Sequence, residues 1–81
     1  MTLLTALELA GNYPDNVLIT SKEYEGGKFA AFLYRLKDGD VHKLMLSMDA
    51  VFKSAEKAES YMHEVAKDIK QRYTEKEERR V

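Results

Sequence analysis

The sequence predicts an α+β fold: a small single domain ordered α-β-β-β-α, with a three-stranded antiparallel meander packed against a long C-terminal helix and a short N-terminal helix. Three observations carry that expectation. An apolar segment from Leu3 to Ala10 stops at the turn cluster Asn12-Tyr13-Pro14-Asp15-Asn16. Two hairpin signals, Gly26-Gly27 and Asp38-Gly39, separate β-favouring segments. A stretch from Ala55 to Tyr73 repeats its apolar residues at helical spacing.

In the first helix Thr2 is the expected N-cap, Leu3, Leu4, Ala6, Leu7, Leu9 and Ala10 supply the apolar positions, and Gly11 stands where a C-cap glycine belongs. The first strand starts at Val17, where Val17-Leu18-Ile19-Thr20 brings β-branched side chains. Gly26-Gly27 fits either a two-residue turn or a three-residue loop, and the two choices put opposite faces of this strand on the core. The second strand, Lys28 to Lys37, is apolar on both sides, as a central strand is. Asp38-Gly39 suits a type I′ turn, which needs φ > 0 at both central residues. A third strand follows over Val41–Met48. Ser54 is the expected N-cap of the last helix, with Glu56 favourably placed in its first turn. Residues 1–73 form the expected domain, and the charged segment 74–81 is expected to fray.

The Asp38-Gly39 loop sets a register that pairs Leu36 with Val41. Carried along both strands, it collects Phe29, Ala31, Leu33, Leu44, Leu46 and Met48 on one face, with Arg35 and His42 near the turn. The other face receives Ala30, Phe32, Tyr34, Leu36, Val41 and Met45, interrupted by Lys43 and Ser47. The first is the expected core face. The second is half apolar, more than a solvated face requires. On the last helix Ala55, Ala58, Met62, Val65, Ala66, Ile69 and Tyr73 share one arc, with Tyr61 at its edge.

Composition narrows the function. Thirteen basic against 14 acidic residues leave a net charge of −1, which exerts no long-range pull on nucleic acid or anionic membrane. The absence of cysteine excludes disulfides, thiolate metal sites and cysteine nucleophiles, and points to a reducing, cytoplasmic setting. The N-terminal apolar stretch lacks a basic flank, carries Glu8, and is too short to span a bilayer. His42 and His63 have no metal-ligand spacing, and His63 has Glu59 and Lys67 four residues to either side as expected local partners. No catalytic residues, metal ligands, cofactor or small-molecule substrate are therefore expected.

The order of elements from Leu3 to about Arg72 resembles that of double-stranded-RNA-binding domains. That resemblance implies phosphate contacts from lysines at the start of the final helix, which makes Lys53 and Lys57 the candidate nucleic-acid-binding residues, with Lys28 at the start of the second strand as a third. Here the segment reads Lys53-Ser54-Ala55-Glu56-Lys57-Ala58-Glu59, so two glutamates replace basic positions and repel a phosphate backbone. The leading expectation is instead a non-enzymatic protein-interaction module, an accessory, regulatory or inhibitor protein that binds another protein or itself. Its candidate surface is Phe32, Tyr34, Leu36, Val41 and Met45. The placement of the first helix decides the matter: lying over that face it makes the patch core, and sharing the Phe29 face it leaves the patch open.

Overall fold

The computed structural model describes residues 2–78, and side chains for residues 2–73. Helix α1 (Leu3–Asn12) leads into strands β1 (Val17–Tyr24), β2 (Lys28–Lys37) and β3 (Asp40–Phe52), followed by helix α2 (Ala55–Glu78). The expected α-β-β-β-α order is the observed one. Residues 79–81, and the side chains of 74–78, lie outside the described residues, and with them the fraying expected of segment 74–81. Among the described residues no helix is long and apolar enough to cross a membrane.

Local chemistry accounts for the element ends. Thr2 is extended and its hydroxyl accepts the Thr5 N–H at 3.2 Å, satisfying one orphan donor of α1. Ser54 does the same for α2, accepting the Lys57 N–H at 3.1 Å. The C-terminus of α1 differs from expectation. Gly11 is not left-handed, and the helix runs one residue further, to Asn12. The Asn12 amide donates to the Glu8 carbonyl at 2.7 Å and the Tyr13 N–H donates to the Leu9 carbonyl at 2.9 Å. These bonds satisfy carbonyls that a left-handed glycine would otherwise serve.

The sheet is antiparallel in the order β1-β2-β3. Asp38 and Gly39 have φ of 54° and 84°, as the type I′ turn requires. The first hairpin closes through the three residues Glu25-Gly26-Gly27, and its register is unbroken from Tyr24↔Lys28 to Val17↔Arg35. The second starts as expected, with Lys37↔Asp40 and Leu36↔Val41, and then slips at three places. As a result Phe29 to Leu36 of β2 opposes the longer run Val41 to Phe52 of β3.

Those slips correct the face assignments along β3. Extra residues at His42 and Met45 move Lys43 opposite Arg35, Leu44 opposite Tyr34, and Leu46 opposite Leu33. Lys43 therefore joins the Phe29 face, Leu44 leaves it, and Met45 packs against the core beside Leu46. A bulge turns two successive side chains to one side, which an alternating pattern does not anticipate. The bulges also blunt β3 as a pairing edge, while β1 remains a regular one.

Both helices lie on the Phe29 face. Leu9 of α1, Ala31 and Leu33 of β2, and Ala58, Met62 and Ala66 of α2 form one fully buried cluster, joined by Val17, Ile19, Leu46, Met48 and Phe52. The alanines remove bulk where α2 meets β2, and Leu9, Leu33 and Met62 fill the centre. Burying each of those three contributes about 2–3 kcal/mol. The other leucines of α1 stay outside: Leu4 is 79 % exposed, and only Leu9 is fully covered.

Polar contacts lock this arrangement. Glu8 of α1 accepts an ion pair from Arg35 at 3.2 Å and another from Lys43 at 2.7 Å. The Lys43 hydrogen bond holds the Glu8 carboxyl below its usual range, with the charges of Lys43, Arg35 and His42 acting the same way against desolvation. The Tyr13 hydroxyl lies 3.1 Å from His63 Nδ1, and Lys70 donates to the Tyr13 carbonyl. Glu59 accepts the Ser21 hydroxyl at 2.6 Å. The partner of His63 is therefore Tyr13 of the chain reversal, and Glu59 is turned to β1.

Candidate docking face of the sheet

With both helices on one side, the described residues leave the opposite face of the sheet uncovered. Register identifies its members. Leu18, Thr20, Lys22 and Tyr24 of β1 stand opposite Tyr34, Phe32, Ala30 and Lys28 of β2, and β3 adds Val41, Leu44 and Ser47. Phe32 and Tyr34 sit in the central strand, two residues apart, so their rings project from the same side. Their centroids are 6.5 Å apart with a 30° tilt. Leu18, Val41 and Leu44 expose 40, 54 and 49 % of their surface and frame the aromatic pair. The face is thus a contiguous apolar surface with two rings at its centre, the composition that interface cores favour.

One end of this face carries two lysines. Lys22 lies over the Tyr24 ring at 5.2 Å from its centroid, and Lys28 is the cross-strand partner of Tyr24. The register places Glu23 opposite Phe29, on the helix side.

Of the protein-binding residues expected from sequence, Phe32, Tyr34, Leu36 and Val41 are brought together on the open face. Met45 is not. The bulge turns it toward the core, and Leu44 takes the position opposite Tyr34. Leu18 was also outside the expected set. Its signal is the Gly26-Gly27 segment: a three-residue loop there makes Leu18 the partner of Tyr34. No comparable signal exists for Leu44, because nothing in the run of β3 marks the bulge.

The expected nucleic-acid-binding lysines do not form one surface. Lys28 belongs to the open sheet face, whereas Lys57 sits in the first turn of α2 beside Glu56, with Lys53 just before its cap. Grooves flank the Phe52–Tyr61 pair, whose rings are 5.3 Å apart. One groove is lined by Ser47, Met48, Asp49, Val51, Phe52 and Tyr61, the other by residues of the first turns of α2 together with Phe52. Neither His42 nor His63 lines either groove. Among the described residues no cluster of three or more histidine, aspartate or glutamate side chains is placed to hold a metal ion.

Comparison with known proteins yields no family model, no curated protein and no solved structure that matches the chain.

Proposed function

We propose that this chain is a non-enzymatic protein-interaction module, an accessory, regulatory or inhibitory protein that docks a partner protein on the open face of its sheet. One observation carries the reading. Phe32 and Tyr34, flanked by Leu18, Leu36, Val41 and Leu44, form an apolar face that neither helix covers. In a small domain whose core is already supplied by the other face, such a surface gains by desolvation only when a second molecule covers it.

The test is a pair of substitutions, Phe32→Ser and Tyr34→Ala. Both side chains lie outside the buried cluster, so the variants keep the wild-type circular dichroism spectrum and lose capture of partner protein in a pull-down. Unfolding of both variants would show that the face is core and end the proposal. A salt-sensitive gel shift of duplex RNA, abolished by Lys53→Ala and Lys57→Ala, would replace it with nucleic-acid binding.

A further inference from the structure

We propose that the outer edge of β1 is a strand-addition site, which takes an extended segment of another protein as a fourth, antiparallel strand. This edge is a surface apart from the open sheet face, and the inference does not rest on that face docking a partner. Its geometry follows from one hydrogen bond. The Leu36 N–H donates to the Asn16 carbonyl at 2.8 Å, which makes Asn16 and Leu36 a hydrogen-bonded pair. In an antiparallel ladder every second residue repeats that orientation. The register is unbroken from Val17↔Arg35 to Tyr24↔Lys28, so Leu18, Thr20 and Lys22 turn their backbone groups toward β2. Val17, Ile19, Ser21 and Glu23 turn theirs the other way, and β1 is an end strand of the sheet. Among the described residues none bonds to these outward N–H and C=O groups.

An unpaired edge of this kind is a ready template for another strand, and soluble proteins ordinarily spoil it with bulges, proline or charge. β3 is spoiled in this way, because its pairing with β2 shifts register at three places. β1 is not. It runs for eight residues with neither bulge nor proline. Its one lysine, Lys22, lies along the strand over the Tyr24 ring, 5.2 Å from the centroid.

The side chains of β1 decide what kind of strand fits. Val17, Leu18 and Ile19 make one half apolar, and Ser21, Lys22 and Glu23 make the other half polar. A second copy fits badly. Antiparallel pairing of β1 with itself uses every outward group only when centred on Thr20, and that register sets Leu18 against Lys22 and Val17 against Glu23. The complementary segment instead carries a cation opposite Glu23, a carboxylate opposite Lys22, and apolar residues opposite Val17, Leu18 and Ile19. Glu23 has no ionic partner among the described residues, and Leu18 is exposed on the side that an apolar neighbour would cover. The occupant is therefore a segment of a different protein, charged at its N-terminal end and apolar in its C-terminal half. Main-chain bonds attach it and alternate side chains select it.

The test uses the whole chain and the peptide acetyl-Lys-Glu-Thr-Thr-Val-Ile-Val-amide. Its lysine and glutamate fall opposite Glu23 and Lys22, and its Val-Ile-Val end falls opposite the apolar half of β1. Amide hydrogen exchange, read residue by residue by NMR, is the measurement. In the protein alone the Val17, Ile19, Ser21 and Glu23 amides exchange fast, and those of Leu18, Thr20 and Lys22 slowly. Peptide at about 1 mM is expected to slow the first four at least about tenfold and to change the others little. Two control peptides bind at least about tenfold more weakly. One has the reversed sequence, which sets apolar residues against Lys22 and Glu23. The other is methylated on the nitrogen of the valine opposite Ile19, which removes a main-chain bond and leaves the protein untouched. The inference is overturned if the four amides are protected at every dilution of the protein alone, if the peptide leaves them unchanged, or if either control protects them equally. Protection that grows with protein concentration in the absence of peptide assigns the edge to a second copy and overturns it too. The docking reading of the open sheet face is decided separately, by Phe32→Ser and Tyr34→Ala.

Discussion

The Tyr13 hydroxyl lies 3.1 Å from His63 Nδ1, a contact that joins the start of the first chain reversal to the middle of α2 across 50 residues of sequence. The rings are 6.0 Å apart, and Lys70, two helical turns on, donates to the carbonyl of the same tyrosine. Tyr13 thus pins α1 against α2 and helps keep α1 on the helix side of the sheet. Its replacement by phenylalanine removes the hydroxyl while leaving the ring. We predict a loss of about 0.5–1 kcal/mol, read as a lower urea midpoint at unchanged slope.

Glu8 predicts the response to acid. Its carboxyl is held below the ordinary value of 4.5, chiefly by the hydrogen bond from Lys43. A group lowered on folding binds its proton more readily in the unfolded chain. Its contribution is therefore complete above the unfolded value and is lost as pH falls through the folded one. Glu8→Gln should cost about 1 kcal/mol at pH 7, partly because Arg35 loses its carboxylate. The difference from wild type should shrink below about pH 4.5 and vanish near pH 2, as measured by urea unfolding across that range.

Gly11 offers a gain. It lies inside α1 with a negative φ, and a methyl group at its Cα would meet nothing within 4 Å. Gly11→Ala should stabilise the fold by about 0.5–1 kcal/mol, because alanine has less freedom to lose on folding. A lower melting temperature for this variant would restore the glycine to the capping role that its position in the sequence suggests.

The two faces of the sheet should respond differently to truncation. Met62 is fully buried between α2 and the sheet, and Met62→Ala should cost about 2–5 kcal/mol. Leu44→Ala, on the open face, should cost less than about 1 kcal/mol. Equal losses at the two positions would mean that Leu44 is core, as the alternation of β3 by itself suggests.

The elements of this fold were legible in the sequence because their determinants are local. A hydroxyl before a helix satisfies the donors three residues on, so Thr2 and Ser54 announce α1 and α2. Asp38-Gly39 takes the left-handed backbone that its turn demands, and the spacing of Ala58, Met62 and Ala66 already marks the buried stripe of α2. Four of the five expected docking residues, Phe32, Tyr34, Leu36 and Val41, followed from that turn alone.

What the tertiary structure decided is everything that depends on distant parts of the chain. Alternation of side chains holds only while a strand keeps step with its neighbour, and β3 loses step with β2 at the bulges at His42 and Met45. They exchanged Met45 for Leu44 on the open face. The side chosen by α1 is likewise beyond local pattern, because its leucines would suit either face. Glu8 with Arg35 and Lys43, and Tyr13 with His63, tie it beside α2. That choice completes the core on one side of the sheet and leaves Phe32 and Tyr34 uncovered on the other, for want of any further apolar element among the described residues to lie across them.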